Sequence, residues 1–196
     1  MSDQISRQEC IKINAICKGV FFVADNPTAS GDRPFYELPT MSPVNSHSTL
    51  IDKIAVEKNV DARLIKAIMY METTHGYYDA PLALVGKNKS ILPMNINVEY
   101  WGNTFGSRED LLDPEKNIRA GAEMINRIEA NLPPGAPIEK IATLYNHINA
   151  GCVNNYGARV RKIYDDQPWL VTNQSCGLSS GARLRAALGK CPETSK

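Results

Sequence analysis

Apolar residues recur at helical spacing from Ser48 onward, and this pattern limits the possible folds more than any other feature of the chain. The clearest case is the stretch VDARLIKAIMYMETTHG, in which apolar residues repeat every three or four positions. Asp61 can cap this helix at its start, and Gly76 is typical of a helix end. Strand-like alternation occurs only in short pieces near 20–24 and 91–98. The sequence therefore predicts a mainly α fold.

Capping residues divide this region into separate helices. Ser48 or Thr49 can cap the first, which carries the apolar residues of TLIDKIAV. Asp113 with Pro114 opens a long helix that a Pro-Pro-Gly sequence ends, and PIEKIATLYNHI predicts the next one. Little helical periodicity appears over 77–112. Two further short helices are predicted, at 154–164 and 181–188.

The 196 residues are enough for one domain of ordinary size. Apolar residues over 4–22 have roughly helical spacing, and a proline-rich stretch follows them. We predict an N-terminal helix and connector over 1–47. A helical domain is expected over 48–170, with a C-terminal extension over 171–196 packed on the same domain.

The five cysteines form no CxxC pair and have no histidine pair at zinc-finger spacing, so neither a metal site nor a cofactor is predicted. Cys10 and Cys17 lie seven residues apart. In a continuous helix their separation would be about 10 Å, which is too far for a disulfide. We therefore expect that these two cysteines do not bond to each other.

Charge and hydropathy exclude several classes of partner. With 22 basic and 21 acidic residues and no long run of like charge, the chain is not expected to bind nucleic acid. The N-terminus lacks the basic start and apolar stretch of a secretory signal, and no segment has the length of a membrane span. The expectation is a chain made in the cytoplasm without a signal peptide.

A carboxylate, Glu72, ends the strongest apolar stripe. Leu64, Ile68 and Glu72 are spaced by four, so on a helix they share the face that points toward the core. A carboxyl group partly withdrawn from water keeps its proton to higher pH and can serve as a general acid, for example on a glycosidic bond. A glutamate in the last turn of a helix is also commonly a solvated end residue. The spacing thus permits a catalytic role without requiring one.

Four stretches in a fixed order resemble the soluble lytic transglycosylase and goose-type lysozyme superfamily, whose members cleave bacterial peptidoglycan. They are VDARLIKAIMYMETTHG, ILPMNINVEYWG, DLLDPEKNIRAGAEMINRI and IATLYNHINAG, all within residues 48–165. The resemblance implies a lysozyme-like helical domain with a small irregular or β element beside the cleft and an N-terminal helical extension.

The resemblance also implies the residues of the site. Glu72 falls on the catalytic acid, Tyr145 on the tyrosine that lies beside this acid, and no metal is required. The implied glycan-binding residues are Thr73, Met94, Asn95, Asn97, Tyr145 and Asn146. Thr73 replaces the usual serine, Asn95 the usual glutamine, and the interval from Glu72 to Met94 is longer than is typical. The cleft is therefore expected to differ from those of the typical enzymes in detail.

The implied activity is cleavage of the β-1,4 bond between N-acetylmuramic acid and N-acetylglucosamine, with one glutamate as acid and base. In the transglycosylase branch the muramic 6-hydroxyl closes a 1,6-anhydro ring. In the goose-type branch water attacks, helped by a second acidic residue, for which Asp79, Glu99 and Asp110 are candidates. The choice between the lytic and the hydrolytic product stays open.

Two other classes of function are compatible with the sequence: a non-catalytic peptidoglycan-binding or secretion-system scaffold protein with the same fold, and a helical interaction domain that binds no glycan. An enzyme of this kind acts in the periplasm, so a chain without a signal needs another route. The options are an antibacterial effector delivered by a machine such as type VI secretion, a phage enzyme, or a secretion-system accessory whose signal has been removed. An effector would imply an immunity protein that occludes the cleft.

Overall fold

A computed structural model describes residues 5–33, 42–75 and 89–170, and the prediction of a mainly α fold is confirmed over these ranges. The helices are α1 (Arg7–Lys12), α2 (Ser48–Lys58), α3 (Ala62–His75), α4 (Val98–Phe105), α5 (Arg108–Leu111), α6 (Pro114–Ala130), α7 (Ile138–Asn146) and α8 (Asn155–Asp166). A 3-10 turn (Pro168–Leu170) follows α8. None of the described helices has the length and apolar character needed to cross a membrane.

Side-chain caps explain where most of the predicted helices begin. Asp61 accepts a hydrogen bond from the backbone N–H of Arg63 at 2.8 Å, and Asp113 accepts one from Lys116 at 3.0 Å. The prediction that Ser48 or Thr49 caps α2 is wrong, because the helix starts at Ser48 after His47, which makes no side-chain cap. The predicted stop at Gly76, the 181–188 helix and the 171–196 extension lie outside the described residues.

Helix α3 runs through the core. Its side chains Leu64, Ile65 and Ile68 are fully buried, and it packs on α2 and α8. Helix α6 packs on α2 and α7, and α7 packs on α8. This arrangement brings the C-terminal end of α3 against α8, and the candidate site lies at that contact.

The described part of the chain resumes after α3 with a small antiparallel hairpin. Strands β1 (Ser90–Ile91) and β2 (Ile96–Asn97) pair with Ser90 opposite Asn97, and the turn between them contains a cis peptide bond before Pro93. Helices α4 and α5 follow, although the sequence shows little helical periodicity over 77–112. Both are short and are specified by caps: Asn97 caps α4, and a reciprocal Ser107–Asp110 capping box holds α5.

The N-terminal helix is shorter than expected. Helix α1 ends at Lys12, and Asn14 adopts a left-handed conformation with φ of 54° that turns the chain back. The Cα atoms of Cys10 and Cys17 are therefore 6.0 Å apart, and the two residues form a disulfide. The expectation that they do not bond to each other is wrong, because it assumed a continuous helix through both. The predicted strand near 20–24 is reduced to one isolated bridge between Ala24 and Cys152.

The disulfide loop docks on the C-terminal end of α6. The Asn131 amide donates to the Ala15 carbonyl at 3.1 Å and accepts from the Cys17 backbone N–H at 3.0 Å. Arg127 donates to the Ile11 carbonyl at 2.8 Å, and the Ile11 side chain is fully buried. The loop is thus part of the folded domain.

Replacement of both cysteines, Cys10→Ala with Cys17→Ala, should lower the free energy of unfolding by about 2 to 3 kcal/mol, because the crosslink restricts the unfolded chain. Chemical denaturation of the oxidised proteins measures this change. Cys152→Ala is the control, since Cys152 is a free, exposed thiol. Equal stability of the double variant and the native protein would contradict the claim that a Cys10–Cys17 disulfide stabilises the fold.

Burial of Glu129 on α6, with a smaller contribution from the charge of Asp61, raises the pKa of its carboxyl group to about 7. A raised carboxyl pKa favours the neutral form, so the folded state is penalised as the pH rises from the usual glutamate value through 7. Because Glu129 is only partly buried, we expect Glu129→Gln to stabilise the protein by about 1 kcal/mol at pH 8 and hardly at all at pH 4.

Unfolding curves at the two pH values test this prediction. Glu109→Gln, at an exposed residue of α5, is the matched control. A Glu129→Gln variant that is stabilised equally at pH 4 and pH 8 would contradict the predicted titration.

Candidate active site

Glu72 lies in the last turn of α3, on the same face as Leu64 and Ile68. Its residue surface is 8% exposed, in agreement with the core-facing orientation that the spacing predicts. A buried carboxylate requires hydrogen-bond partners, because burial removes the water that would otherwise solvate it. The surroundings of its two oxygens therefore define the site.

Each Glu72 oxygen accepts a hydrogen bond from a different part of the chain. The Tyr156 hydroxyl on α8 donates to Oε1 at 2.6 Å. The Asn95 side-chain amide, in the turn between β1 and β2, donates to Oε2 at 2.7 Å. Glu72 is thus held in one orientation between a helix and a hairpin turn.

Close packing of α7 and α8 places Tyr156 at this site. Gly157 follows Tyr156 directly, and a Cβ atom there would lie 2.1 Å from the Thr143 hydroxyl and 2.3 Å from the Glu139 carbonyl. Asn154 caps α8 by accepting from the Gly157 backbone N–H at 2.8 Å. A side chain at Gly157 would push the two helices apart.

A buried asparagine on α6 holds the hairpin turn that carries Asn95. The Asn117 side chain is fully buried, accepts from the Met94 backbone N–H at 2.8 Å, and donates to the Ile91 and Leu111 carbonyls at 3.0 Å each. All three bonds are buried and satisfy backbone groups in the interior. Asn95 itself has φ of 56°, a left-handed conformation that asparagine tolerates well.

Tyr145 and Met94 complete the support of this turn. The Tyr145 hydroxyl donates to the Met94 carbonyl at 2.8 Å instead of bonding to Glu72. The Met94 side chain is fully buried, and a Cβ atom at Gly121 would come within 2.8 Å of it. In this structure Tyr145 therefore holds the backbone next to Asn95, and the Met94 side chain packs in the core beside Gly121.

The other predicted binding residues lie in three different settings. The Thr73 hydroxyl bonds back to the Met69 carbonyl of its own helix at 2.7 Å. The Asn97 side-chain oxygen caps α4. Asn146 is exposed and accepts from the Asn154 amide at 3.3 Å. Their roles toward a glycan stay predictions.

Two of the three candidates for a second carboxylate are engaged elsewhere. Glu99 forms an exposed ion pair with Lys89 at 3.0 Å. Asp110 bonds to Lys116 and to Ser107 in the capping box, and these contacts lower the pKa of its carboxyl group to about 2. Asp79 lies outside the described residues.

Burial, together with the nearby charge of Glu72, raises the pKa of both Tyr145 and Tyr156 well above the usual tyrosine value. For Tyr156 the hydrogen bond to Glu72 acts in the same direction. Both hydroxyls therefore stay protonated at neutral pH, and each can donate a hydrogen bond.

Sequence reasoning missed Tyr156, which contacts Glu72 more directly than Tyr145 does. A signal was available in the predicted helix at 154–164. Tyr156, Val160 and Ile163 are spaced by four and three, so they share one helical face. Val160 and Ile163 are buried, and a tyrosine at the start of such a face points its hydroxyl toward the core edge.

No protein-family model, curated protein or solved structure matches this chain. The family resemblance therefore rests on the sequence motifs alone. Among the described residues, no group of three or more His, Cys, Asp or Glu side chains could hold a metal ion.

Gly157→Ala should lower the free energy of unfolding by about 3 kcal/mol, because the added methyl group overlaps a backbone carbonyl and a buried threonine. Gly151→Ala is the control: a Cβ atom there meets nothing within 4 Å, so its effect should stay within about 1 kcal/mol. Chemical denaturation compares the two. Equal stability of both variants would show that α7 and α8 are not in close contact.

Proposed function

We propose that this protein is a peptidoglycan-cleaving muramidase with a lysozyme-like fold and that Glu72 is its general acid and base. The observation that carries the proposal is the buried Glu72 carboxylate with both oxygens fixed, by Tyr156 at 2.6 Å and by Asn95 at 2.7 Å. Glu72 is also the residue that falls on the catalytic acid in the motifs that resemble the wall-degrading enzymes. The contact with Tyr156 formed no part of the resemblance, so it supports the role of Glu72 independently.

The hydrogen bonds suggest which oxygen carries the proton. The Asn95 amide group that faces Oε2 is a donor only, so Oε2 remains an acceptor in the protonated acid as well. The proton then belongs on Oε1, beside the Tyr156 hydroxyl, which can accept from a protonated carboxyl group and donate to an ionised one. Tyr156 can therefore keep its hydrogen bond to Glu72 in both protonation states.

In the proposed reaction Glu72 gives its proton to the oxygen that links N-acetylmuramic acid to N-acetylglucosamine. The bond from this oxygen to the muramic C1 breaks, and the leaving sugar takes up the proton as a hydroxyl group. The positive charge on the muramic ring is stabilised by the acetamido group of the substrate. Hydrogen bonds from Tyr156 and Asn95 stabilise the carboxylate that remains.

The ionised Glu72 then acts as a base. In the lytic version it takes the proton of the muramic 6-hydroxyl, whose oxygen bonds to C1 and closes a 1,6-anhydro ring. In the hydrolytic version it takes a proton from water, and hydroxide adds to C1. The resemblance implies that a second acidic residue helps the water in the hydrolytic version. Glu99 and Asp110 are held by Lys89 and Lys116, so the described residues favour the lytic version, which needs Glu72 alone.

The expected site of action is the cell wall, and the proposed route to it is delivery as an antibacterial effector. A cognate immunity protein would then cover the cleft around Glu72. Periplasmic expression without this partner should inhibit bacterial growth, whereas cytoplasmic expression should not. Toxicity confined to the cytoplasm would count against a wall-degrading activity.

Glu72→Gln should lower the rate of release of soluble fragments from purified sacculi by at least about 100-fold, because a general acid of this kind contributes at least that factor. The glutamine keeps the size of the side chain but cannot donate the proton. Sacculus turbidity together with chromatography of the supernatant measures the release.

Glu109→Gln is the control for this assay and should keep the native rate, since Glu109 is an exposed residue of α5. If Glu72→Gln released fragments at a near-native rate, Glu72 could not be the general acid. Binding of the native protein to sacculi without any release would instead support the non-catalytic scaffold protein.

A further inference from the structure

Residues 24–31, which we call the strap, run beside the segment that leads into α8. The Ala24 backbone N–H donates to the Gly151 carbonyl, and the Val153 N–H donates to the Ala24 carbonyl, both at 2.9 Å. The Asn26 amide donates to the Val153 carbonyl at 2.8 Å. This part of the strap therefore fixes the chain just before α8 begins.

The second half of the strap contacts the first turn of α8. The Ser30 backbone N–H donates to the Asn155 side chain at 2.9 Å. Gly31 lies against the helix so closely that a Cβ atom would be 2.8 Å from the Ala158 carbonyl oxygen. Arg159 donates to the Gly31 carbonyl at 3.3 Å. The contacts of the strap thus lie on both sides of Tyr156 in the sequence.

The strap is itself anchored next to α7. Asp25 forms an ion pair with Lys140 of that helix at 2.8 Å. Just before the strap, Arg7 donates to the Phe22 carbonyl at 2.9 Å and to the Ala150 carbonyl at 2.9 Å. The strap is therefore held from α1 and α7 while it contacts α8.

We propose that the strap positions Tyr156 against Glu72. Helix ends fray because their first N–H groups lack partners within the helix, and Tyr156 lies in the first turn of α8. Its hydroxyl contacts Glu72 at 2.6 Å, so a shift of the helix start by a fraction of an ångström weakens the bond. By tying Val153, Asn155 and Ala158, the strap holds this turn in register.

The contacts of the strap indicate that it positions Tyr156 more than it stabilises the domain. They are mostly hydrogen bonds, and none of the strap residues is fully buried, four of the eight being exposed, so the strap buries little apolar surface. Asn26, Gly31 and Asn155 are therefore inferred to be positioning residues, acting through Tyr156. The expected effect of the strap on activity rests on the proposed function. Its expected effect on the contact between Tyr156 and Glu72 does not depend on that function.

Two strap variants and a control test the proposal. Gly31→Ala adds a methyl group against the Ala158 carbonyl, and Asn26→Ala removes the bond to Val153. Ser30→Ala is the control, because the Ser30 hydroxyl bonds to Asp32 within the loop and its backbone N–H is retained. The full chain is labelled with 3-fluorotyrosine, and the Tyr156 resonance is assigned by its loss in Tyr156→Phe.

Gly31→Ala and Asn26→Ala should both shift the Tyr156 fluorine resonance. They should also lower the pH at which the Tyr156 hydroxyl titrates, because its hydrogen bond to Glu72 is weakened. Ser30→Ala should change neither. Both strap variants should also slow sacculus cleavage by about 3-fold to 10-fold. In a protein that already carries Tyr156→Phe, the same changes should slow cleavage no further, because effects that act through one residue are not additive. An unmoved resonance in both variants would overturn the proposal. So would an equal loss of activity with and without Tyr156. If native protein releases no wall fragments, the proposed function fails, and the fluorine measurement still decides the role of the strap.

Discussion

The hydrogen bond between the Tyr156 hydroxyl and the Glu72 carboxylate is the interaction on which the candidate site depends. It joins the first turn of α8 to the last turn of α3, two helix ends that would otherwise be the least ordered parts of their helices. A carboxylate that is 8% exposed cannot rely on water for its solvation. The tyrosine supplies that solvation and fixes the direction of the carboxylate.

Each partner of Glu72 has its own support from the fold. Gly157 lets α8 approach α7 closely enough to present Tyr156, and the strap holds the start of the same helix. Asn117 and Tyr145 hold the backbone around Met94, which positions the Asn95 amide. In the proposed reaction, a carboxylate fixed in this way before substrate binds would need no reorganisation, which is how preorganised polar groups stabilise a transition state.

The sequence predicted the long helices and their caps because these depend on local patterns. Apolar spacing identified α3 and the core-facing direction of Glu72, while Asp61 and Asp113 marked two helix starts. The failures have other causes. The turn at Asn14 that closes the Cys10–Cys17 loop depends on one left-handed residue. Helices α4 and α5 are too short to show a stripe, and the contact of Tyr156 with Glu72 depends on tertiary packing across 84 positions of the chain.

The central chemical proposal is that a single carboxylate, Glu72, opens the bond at the muramic C1. Mass spectrometry of the fragments that the native protein releases from purified sacculi in ¹⁸O-labelled water tests this proposal most directly. We predict fragments that end in muramic acid, chiefly as the 1,6-anhydro form, which is lighter by one water and carries no label, and we predict none from Glu72→Gln. Fragments that end in N-acetylglucosamine, or an unchanged yield from Glu72→Gln, would contradict it.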